Sequence, residues 1–320
     1  MNGQDGSIRG LELSRRYYET FGKPMLDSFP EASGFLAVGL TGSGSECYGF
    51  DDELSRDHDF EPGFCIFLPG EDVVDRRTEF LLERAYAKLP KTFCGFSRQP
   101  LSPVGGNRHG VLRIGTYFLE KIGSPDGNLD WTDWLRTPSF RFAEAVNGEV
   151  FSDPYGELSE IRARIARYPE DVRRKKLAGN LLMMSQSGEY NYFRCLGHGE
   201  KTAAQFALHE YVSAAVRSAF LIADAYCPYY KWAFRAMREL PGFRDLEPVL
   251  FEILSGGANG CDDASVRSLM DRVNRILTDR LAESGLTEGS ETDLGKLAYG
   301  INDGIRDPMI RTLSILAACE

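Results

Sequence analysis

Apolar positions at the start of the chain recur at helical spacing. Leu11, Tyr17, Tyr18, Phe21, Met25 and Phe29 predict a helix over about Ile8 to Phe29. The rhythm then changes. GFLAVGL (34–40) and FCIFLPG (64–70) are short apolar runs closed by glycine or Pro-Gly, a pattern that predicts buried strands. Charged residues interleave with alanine and leucine between Val74 and Leu89 as in a helix, and HGVLRIGTYFLEKI (109–122) reads as a third strand running into a helix or a further strand. Glycine, proline and serine punctuate 95–107 and 123–128 as loops, and EVFSDPYGE (149–157) predicts an edge strand and a turn. Strands separated by helical stretches indicate an α/β first half.

Beyond Gly156 the strand pattern stops. Pro169, followed by Glu170 and Asp171, is a helix start, because proline fits the first turn and acids favour the N-terminal end of the dipole. Lys201 to Tyr226 carries Leu208, Tyr211, Ala215, Ala219 and Ile222 on one stripe, and Pro228 restarts the chain as PYYKWAFRAMREL. Segments 243–255, 262–284 and 291–318 are also helix-like, with glycine-rich breaks between them. The expected division is an α/β domain over 1–156 and a helical domain over 157–320.

Composition narrows the function classes. At 320 residues with 42% hydrophobic and 26% charged side chains, the chain matches ordinary globular proteins. A formal net charge of −10 argues against broad binding to nucleic acid or anionic membranes. The polar start MNGQDGSIRG has no apolar signal core, and no apolar run approaches the roughly 20 residues of a membrane span. Seven cysteines form no CxxC pair, and four histidines give no zinc spacing. The expectation is a reduced, cytoplasmic protein.

Candidate chemistry concentrates in GLTGSGSECYGFDDELSRDHDF (39–60). It lacks the lysine of a GxxxxGK[ST] loop, and Cys47 stands where a dinucleotide fingerprint needs its third glycine. What remains is a strand, a Gly-Ser turn, a helical or looped stretch, and an Asp-x-Asp entering a second strand. Glycine lets backbone N–H groups approach a phosphate, serine hydroxyls add donors, and a following helix would aim its N-terminus at the same anion. Residues two apart on a strand share a face, so Asp57 and Asp59 are expected to project together. Two convergent carboxylates suit Mg²⁺ beside substrate phosphates.

The stretch resembles the signature of the DNA polymerase β-like nucleotidyltransferase superfamily: Gly-Ser, about ten residues, then Asp-x-Asp. Eleven residues separate the Gly44-Ser45 pair from Asp57, and thirteen separate Gly42-Ser43 from it. With YPEDV (168–172) and PYYKW (228–232) downstream, the pattern resembles an uncharacterised bacterial branch of that superfamily over most of residues 35–240. The resemblance implies an α+β fold, a small mixed sheet with flanking helices followed by an all-helical bundle. It implies transfer of a nucleoside monophosphate from an NTP to an acceptor hydroxyl of a small molecule, RNA or protein, with release of pyrophosphate. Gly42, Ser43, Gly44 and Ser45 would hold the triphosphate, and Asp57 and Asp59 would be the catalytic Mg²⁺ ligands.

Two positions depart from the family pattern. His58 occupies the usually apolar middle of the Asp-x-Asp. The family also places a third carboxylate on a later strand, where HGVLRI offers Arg113. Glu120, Asp130 and Asp133 are the substitutes, and without a third acid the alternative is a nucleotide-binding regulatory protein.

Four further features bear on function. Lys231 in PYYKW is a candidate phosphate contact or a snorkelling side chain beside core aromatics. Arg194 in EYNYFRCLGHGE is a candidate phosphate grip or a junction residue. RARIARYPEDVRRKKL carries seven basic residues between Arg162 and Lys176, either a solvated helix face or a local RNA contact at 162–176. Asp51, Asp52 and Glu53 are expected to orient the acceptor or to cap and solvate a loop.

Overall fold

The two apolar runs form the centre of a sheet in the computed structural model, which describes residues 8–53, 60–98, 108–259, 262–287 and 291–319. The chain divides into two compact units, one built from Met1–Leu129 and Arg141–Ala166, the other from Asp130–Phe140 and Arg167–Glu320. The strands are β1 (Ala37–Leu40), β2 (Cys65–Leu68), β3 (Thr92–Phe93), β4 (Phe96–Ser97), β5 (Gly110–Arg113) and β6 (Glu149–Ser152), all in the first unit.

Four strands make a mixed sheet in the order β5-β2-β1-β6. β1 runs antiparallel to β2 with Val38 opposite Ile66, and antiparallel to β6. β2 runs parallel to β5 with Ile66 opposite Val111. Every residue of AVGL and CIFL is buried, as continuous apolar runs require when both faces of a strand are covered. All four residues of β6 are half-buried, which fits its edge position. The parallel pairing of β2 and β5 needs a crossover, supplied by the helix Arg76–Ala87 and the β3–β4 hairpin. That hairpin lies partly within a stretch read from sequence as loop.

The expected N-terminal helix is present in three joined pieces, Gly10–Tyr17, a π-turn at Tyr18–Gly22, and Lys23–Asp27. Pro24 has no N–H to close the regular ladder onto the preceding turn, which accounts for the irregularity there. Gly22 also lets the helix lie on the sheet, since a Cβ at that position would sit 2.4 Å from Phe64 Cζ. Tyr17 is fully buried, its ring 5.9 Å from that of Phe64, and its hydroxyl donates to Pro90 O while accepting from Arg98 Nη2. Burying Phe64 contributes about 1.5–3 kcal/mol.

The second unit is helical among its described residues. A continuous rod runs through Glu170–Met184, a π-segment Ser185–Tyr192 and Phe193–Gly197, and packs against Lys201–Ile222. Gly188 permits the close approach, because a Cβ there would lie 2.3 Å from Tyr211 Cδ2. The helices Tyr230–Glu239, Leu246–Asn259, Asp263–Glu283 and Leu294–Asp303 follow, and then shorter turns. Among the described residues, no helix is long and apolar enough to cross a membrane.

The basic run does not form one solvated face. Lys175 is fully buried, and Lys176 is 2% exposed. Lys175 Nζ donates to Asn302 Oδ1 (2.8 Å), Leu313 O (2.7 Å) and Arg311 O (3.3 Å). Lys176 Nζ donates to Leu135 O, and Arg173 donates to Leu221 O and Ile222 O at the end of a neighbouring helix. Carbonyls left open at helix ends and turns recruit these cations inward. The sequence pattern cannot distinguish a lysine that reaches such acceptors from one that reaches water.

Candidate functional site

The Gly-Ser loop leaves the end of β1 at Leu40, and its backbone is fixed by one side chain. Asn147 Oδ1 accepts from Gly42 N at 2.9 Å, and Asn147 Nδ2 donates to Gly42 O at 2.7 Å. The Thr41 hydroxyl lies 3.1 Å from the same Oδ1, 3.1 Å from Glu144 O and 3.2 Å from Tyr117 OH. Gly42 has φ +128°, a region open mainly to glycine. The adjoining turn is equally tight. Gly148 has φ +66°, a Cβ on it would sit 2.0 Å from Leu40 O, and its N–H donates to Cys47 O at 2.8 Å. Arg162 Nη2 then ties down Val146 O and Asn147 O from beneath the loop.

Asn147 and Arg162 are therefore positioning residues that sequence reasoning missed as parts of the site. The only signal was the Asn-Gly pair before EVFS, which reads as an ordinary turn.

The loop lines a cavity of about 380 Å³ within the first unit. Thr41, Gly42, Ser43 and Gly44 contribute to it, together with Glu46, Arg108 and Glu120. Gly42 and Gly44 are buried while Ser43 is exposed, so the loop presents a hydroxyl and close backbone. Of the two readings for the stretch behind the loop, helical or looped, the described residues favour the looped one. Only one 3-10 turn, Ser45–Tyr48, follows among the described residues, and Gly49 ends it at φ +68°. So short a turn has no helix macrodipole to offer.

Charge in the cavity wall is largely committed. Lys121 Nζ pairs with the buried Glu144 carboxylate at 2.5 Å. Arg113 donates to Glu79 Oε2 (2.6 Å), Pro69 O (2.7 Å) and Val74 O (2.7 Å), so it pins β5 to the loop after β2 and to the helix Arg76–Ala87. Cys47 and Cys65 also line the cavity, and burial pushes both thiols up, Cys65 to about 12. Both stay protonated, which excludes thiolate chemistry for them near neutral pH. Cys65 Sγ donates to Arg108 O.

The acids separate clearly. Asp57 and Asp59 lie outside the described residues. Glu120, on the helix Ile114–Ile122, is exposed and lines the cavity. Asp130 and Asp133 belong to the other unit and form a capping box: Asp130 Oδ1 accepts from Thr132 N and Asp133 N, and Asp133 Oδ2 accepts from Asp130 N. The Thr132 hydroxyl, which also donates to Asp130 Oδ1, is the main cause that holds the Asp130 carboxyl below its usual range, and the Asp133 N–H adds to it.

Glu46 is an acid the sequence reading did not single out. Its carboxylate covers the Gly44 Cα so closely that a Cβ there would meet Oε1 at 1.9 Å. Asp51 is buried and caps the first helix, its Oδ2 accepting from Gly10 N at 2.8 Å. No group of three or more His, Cys, Asp or Glu side chains among the described residues is arranged to hold a metal ion.

Lys231 and Arg194 belong to the helical unit. Lys231 is exposed, with Nζ 4.8 Å from the centroid of the Trp232 ring. Arg194 Nη1 donates to Tyr190 OH at 2.9 Å, one turn away on the same rod.

Residues 134–233 match the family described as a domain of unknown function, DUF4037. That stretch begins inside the helix Trp131–Arg136, ends inside Tyr230–Glu239 and does not include the Gly-Ser loop. The chain is similar in structure to a nucleotidyltransferase-like protein from Exiguobacterium sibiricum 255-15, at 10% identity and a TM-score of 0.35, with 92% of this chain and 81% of that one covered. No curated protein matches the sequence.

Proposed function

We propose that the chain is a Mg²⁺-dependent nucleotidyltransferase whose NTP is held at the Gly42–Ser45 loop. The observation that carries this reading is the fixed loop itself. Gly42, Ser43 and Gly44 line one cavity with Glu46 and Glu120, and Asn147 holds the loop's backbone in place. A rigid Gly-Ser backbone beside acids is what a triphosphate and its metal require. The acceptor hydroxyl attacks the α-phosphorus, the bond from that phosphorus to the oxygen bridging to the β-phosphate breaks, and pyrophosphate leaves with the electron pair. The hydroxyl proton passes to a carboxylate or to water.

Asp57 and Asp59 are assigned as Mg²⁺ ligands on the resemblance of their motif, with Glu46 or Glu120 supplying the third carboxylate. Bound Mg²⁺ would neutralise charge on the phosphates. Ser43 and Ser45 would donate to phosphate oxygens.

One observation favours a second reading, a nucleotide-binding regulatory protein. Arg113 occupies the strand position where the superfamily carries an acid, and it is tied down by bonds to Glu79, Pro69 and Val74. Isothermal titration with each NTP and Mg²⁺ tests the shared part of both readings. Submicromolar to micromolar binding that is lost in Asp59→Ala, with the fold intact by circular dichroism, supports it. Undiminished binding in that variant overturns the assignment.

A further inference from the structure

The helical unit contains a larger cavity, of about 620 Å³, lined entirely by its own residues. Small-molecule sites typically span roughly 300–1,000 Å³. Leu135, Val216, Ala233 and Phe234 give it an apolar wall, and Phe140 and Tyr229 meet there edge to face with centroids 5.5 Å apart. Tyr230 extends the aromatic group 4.5 Å from Tyr229 and is 74% exposed. Aromatic surface left open beside a cavity suits a flat ring system.

The helix Lys201–Ile222 sets a cation into this lining. Arg217 lines the cavity, and its Nη1 is buried with no hydrogen-bond partner among the described residues. The buried Lys175 and Lys176 of the same unit do reach acceptors: Lys175 meets three, and Lys176 meets Leu135 O. Arg217 as a whole is half-buried, so it places a cation in an otherwise apolar wall. Arg136, an exposed second guanidinium, lines the same cavity.

The geometry points to this cavity as the binding site of a small organic anion with an aromatic body, its carboxylate or phosphate received by Arg217. A planar fork matches both head groups, and the apolar surroundings strengthen the charge-assisted bond. The inference does not depend on nucleotidyl transfer, since no residue of the Gly-Ser loop takes part in it.

The test titrates the full chain with three naphthalene probes that share one ring system: 2-naphthoate, 2-naphthyl phosphate and uncharged 2-naphthol. At least one anion is expected to bind about tenfold or more tighter than 2-naphthol, the gain typical of a charge-assisted hydrogen bond. Which anion wins identifies the head group. Arg217→Met should bring that ratio to about one while leaving 2-naphthol affinity unchanged. Arg217→Lys, which keeps the charge without the fork, should retain part of it. Ser213→Trp, placed in the lining, should weaken all three. Equal binding of charged and neutral probes by the wild-type chain, or no binding of any, overturns the proposal. So does a preference that survives Arg217→Met.

Discussion

The side-chain amide of Asn147 exchanges two hydrogen bonds with the peptide of Gly42, 105 residues earlier in the chain, and so holds the Gly-Ser loop as a neighbouring strand would. Asn147→Ala leaves the Gly42 N–H and C=O without these partners. A loss of about 1–3 kcal/mol in denaturant-measured stability is expected. On the proposed function, NTP affinity falls further than stability does, because the loop loses its set conformation. Asn147→Asp keeps the acceptor but turns a second acceptor towards Gly42 O, so it should rescue little. Wild-type stability in Asn147→Ala would show that the loop holds itself.

Two glycines with similar backbones should respond very differently to alanine. Gly148 has φ +66° and a carbonyl oxygen 2.0 Å from where a Cβ would sit; Gly156 has φ +85° and nothing within 4 Å. Gly156→Ala is expected to cost about 1–2 kcal/mol of left-handed strain alone. Gly148→Ala must also move β1 or β6, so it should cost more than about 3 kcal/mol and reduce the soluble yield. Comparable denaturation midpoints for the two variants would contradict the close packing at Leu40.

The elements that periodicity defines were legible in the sequence. GFLAVGL and FCIFLPG contain β1 and β2, and the helix stripe over Lys201 to Tyr226 became Lys201–Ile222. HGVLRIGTYFLEKI resolved into a strand and then a helix, one of its two readings. The hairpin Thr92–Ser97 was missed because two-residue strands carry no period. Of the candidate cavity's lining, Gly42, Ser43 and Gly44 were legible as a small-residue turn after a strand. Asn147, Arg162 and Glu46 were not, because their roles depend on backbone groups that approach only in the folded chain.

Lys175 is a case where pattern and structure diverge. Within a basic run it reads as solvated, yet it is fully buried and its ammonium spans Asn302, Arg311 and Leu313. Lys175→Met should destabilise the helical unit by about 2–4 kcal/mol through the acceptors left unmet. Substitution of the exposed Lys201 should change stability by less than about 0.5 kcal/mol. A silent Lys175→Met would mean that the ammonium is solvated.

Glu189 supplies a pH test. Burial raises its carboxyl pKa, nearby Asp293 and Asp271 add to the effect, and bonds from Ser185 and Asn274 partly offset it. A carboxyl whose folded pKa is raised weakens the fold when ionised. The cost is present above the folded pKa and disappears as pH falls to the unfolded value of about 4.3. Glu189→Gln keeps the acceptor for Asn274 Nδ2. It should therefore raise the melting temperature at pH 7 and lose that advantage near pH 4. An advantage that grows on acidification would contradict the sign.

Label transfer tests the central claim most directly. The full chain is incubated with Mg²⁺, each α-phosphorus-labelled NTP, and small-molecule, RNA or protein fractions of a cell extract. Nucleotidyl transfer predicts label on one fraction with an equal yield of pyrophosphate, and loss of both in an Asp57→Asn, Asp59→Asn double variant that still folds. Saturable NTP binding with no label transferred and no pyrophosphate released would contradict it and leave a nucleotide-binding regulator.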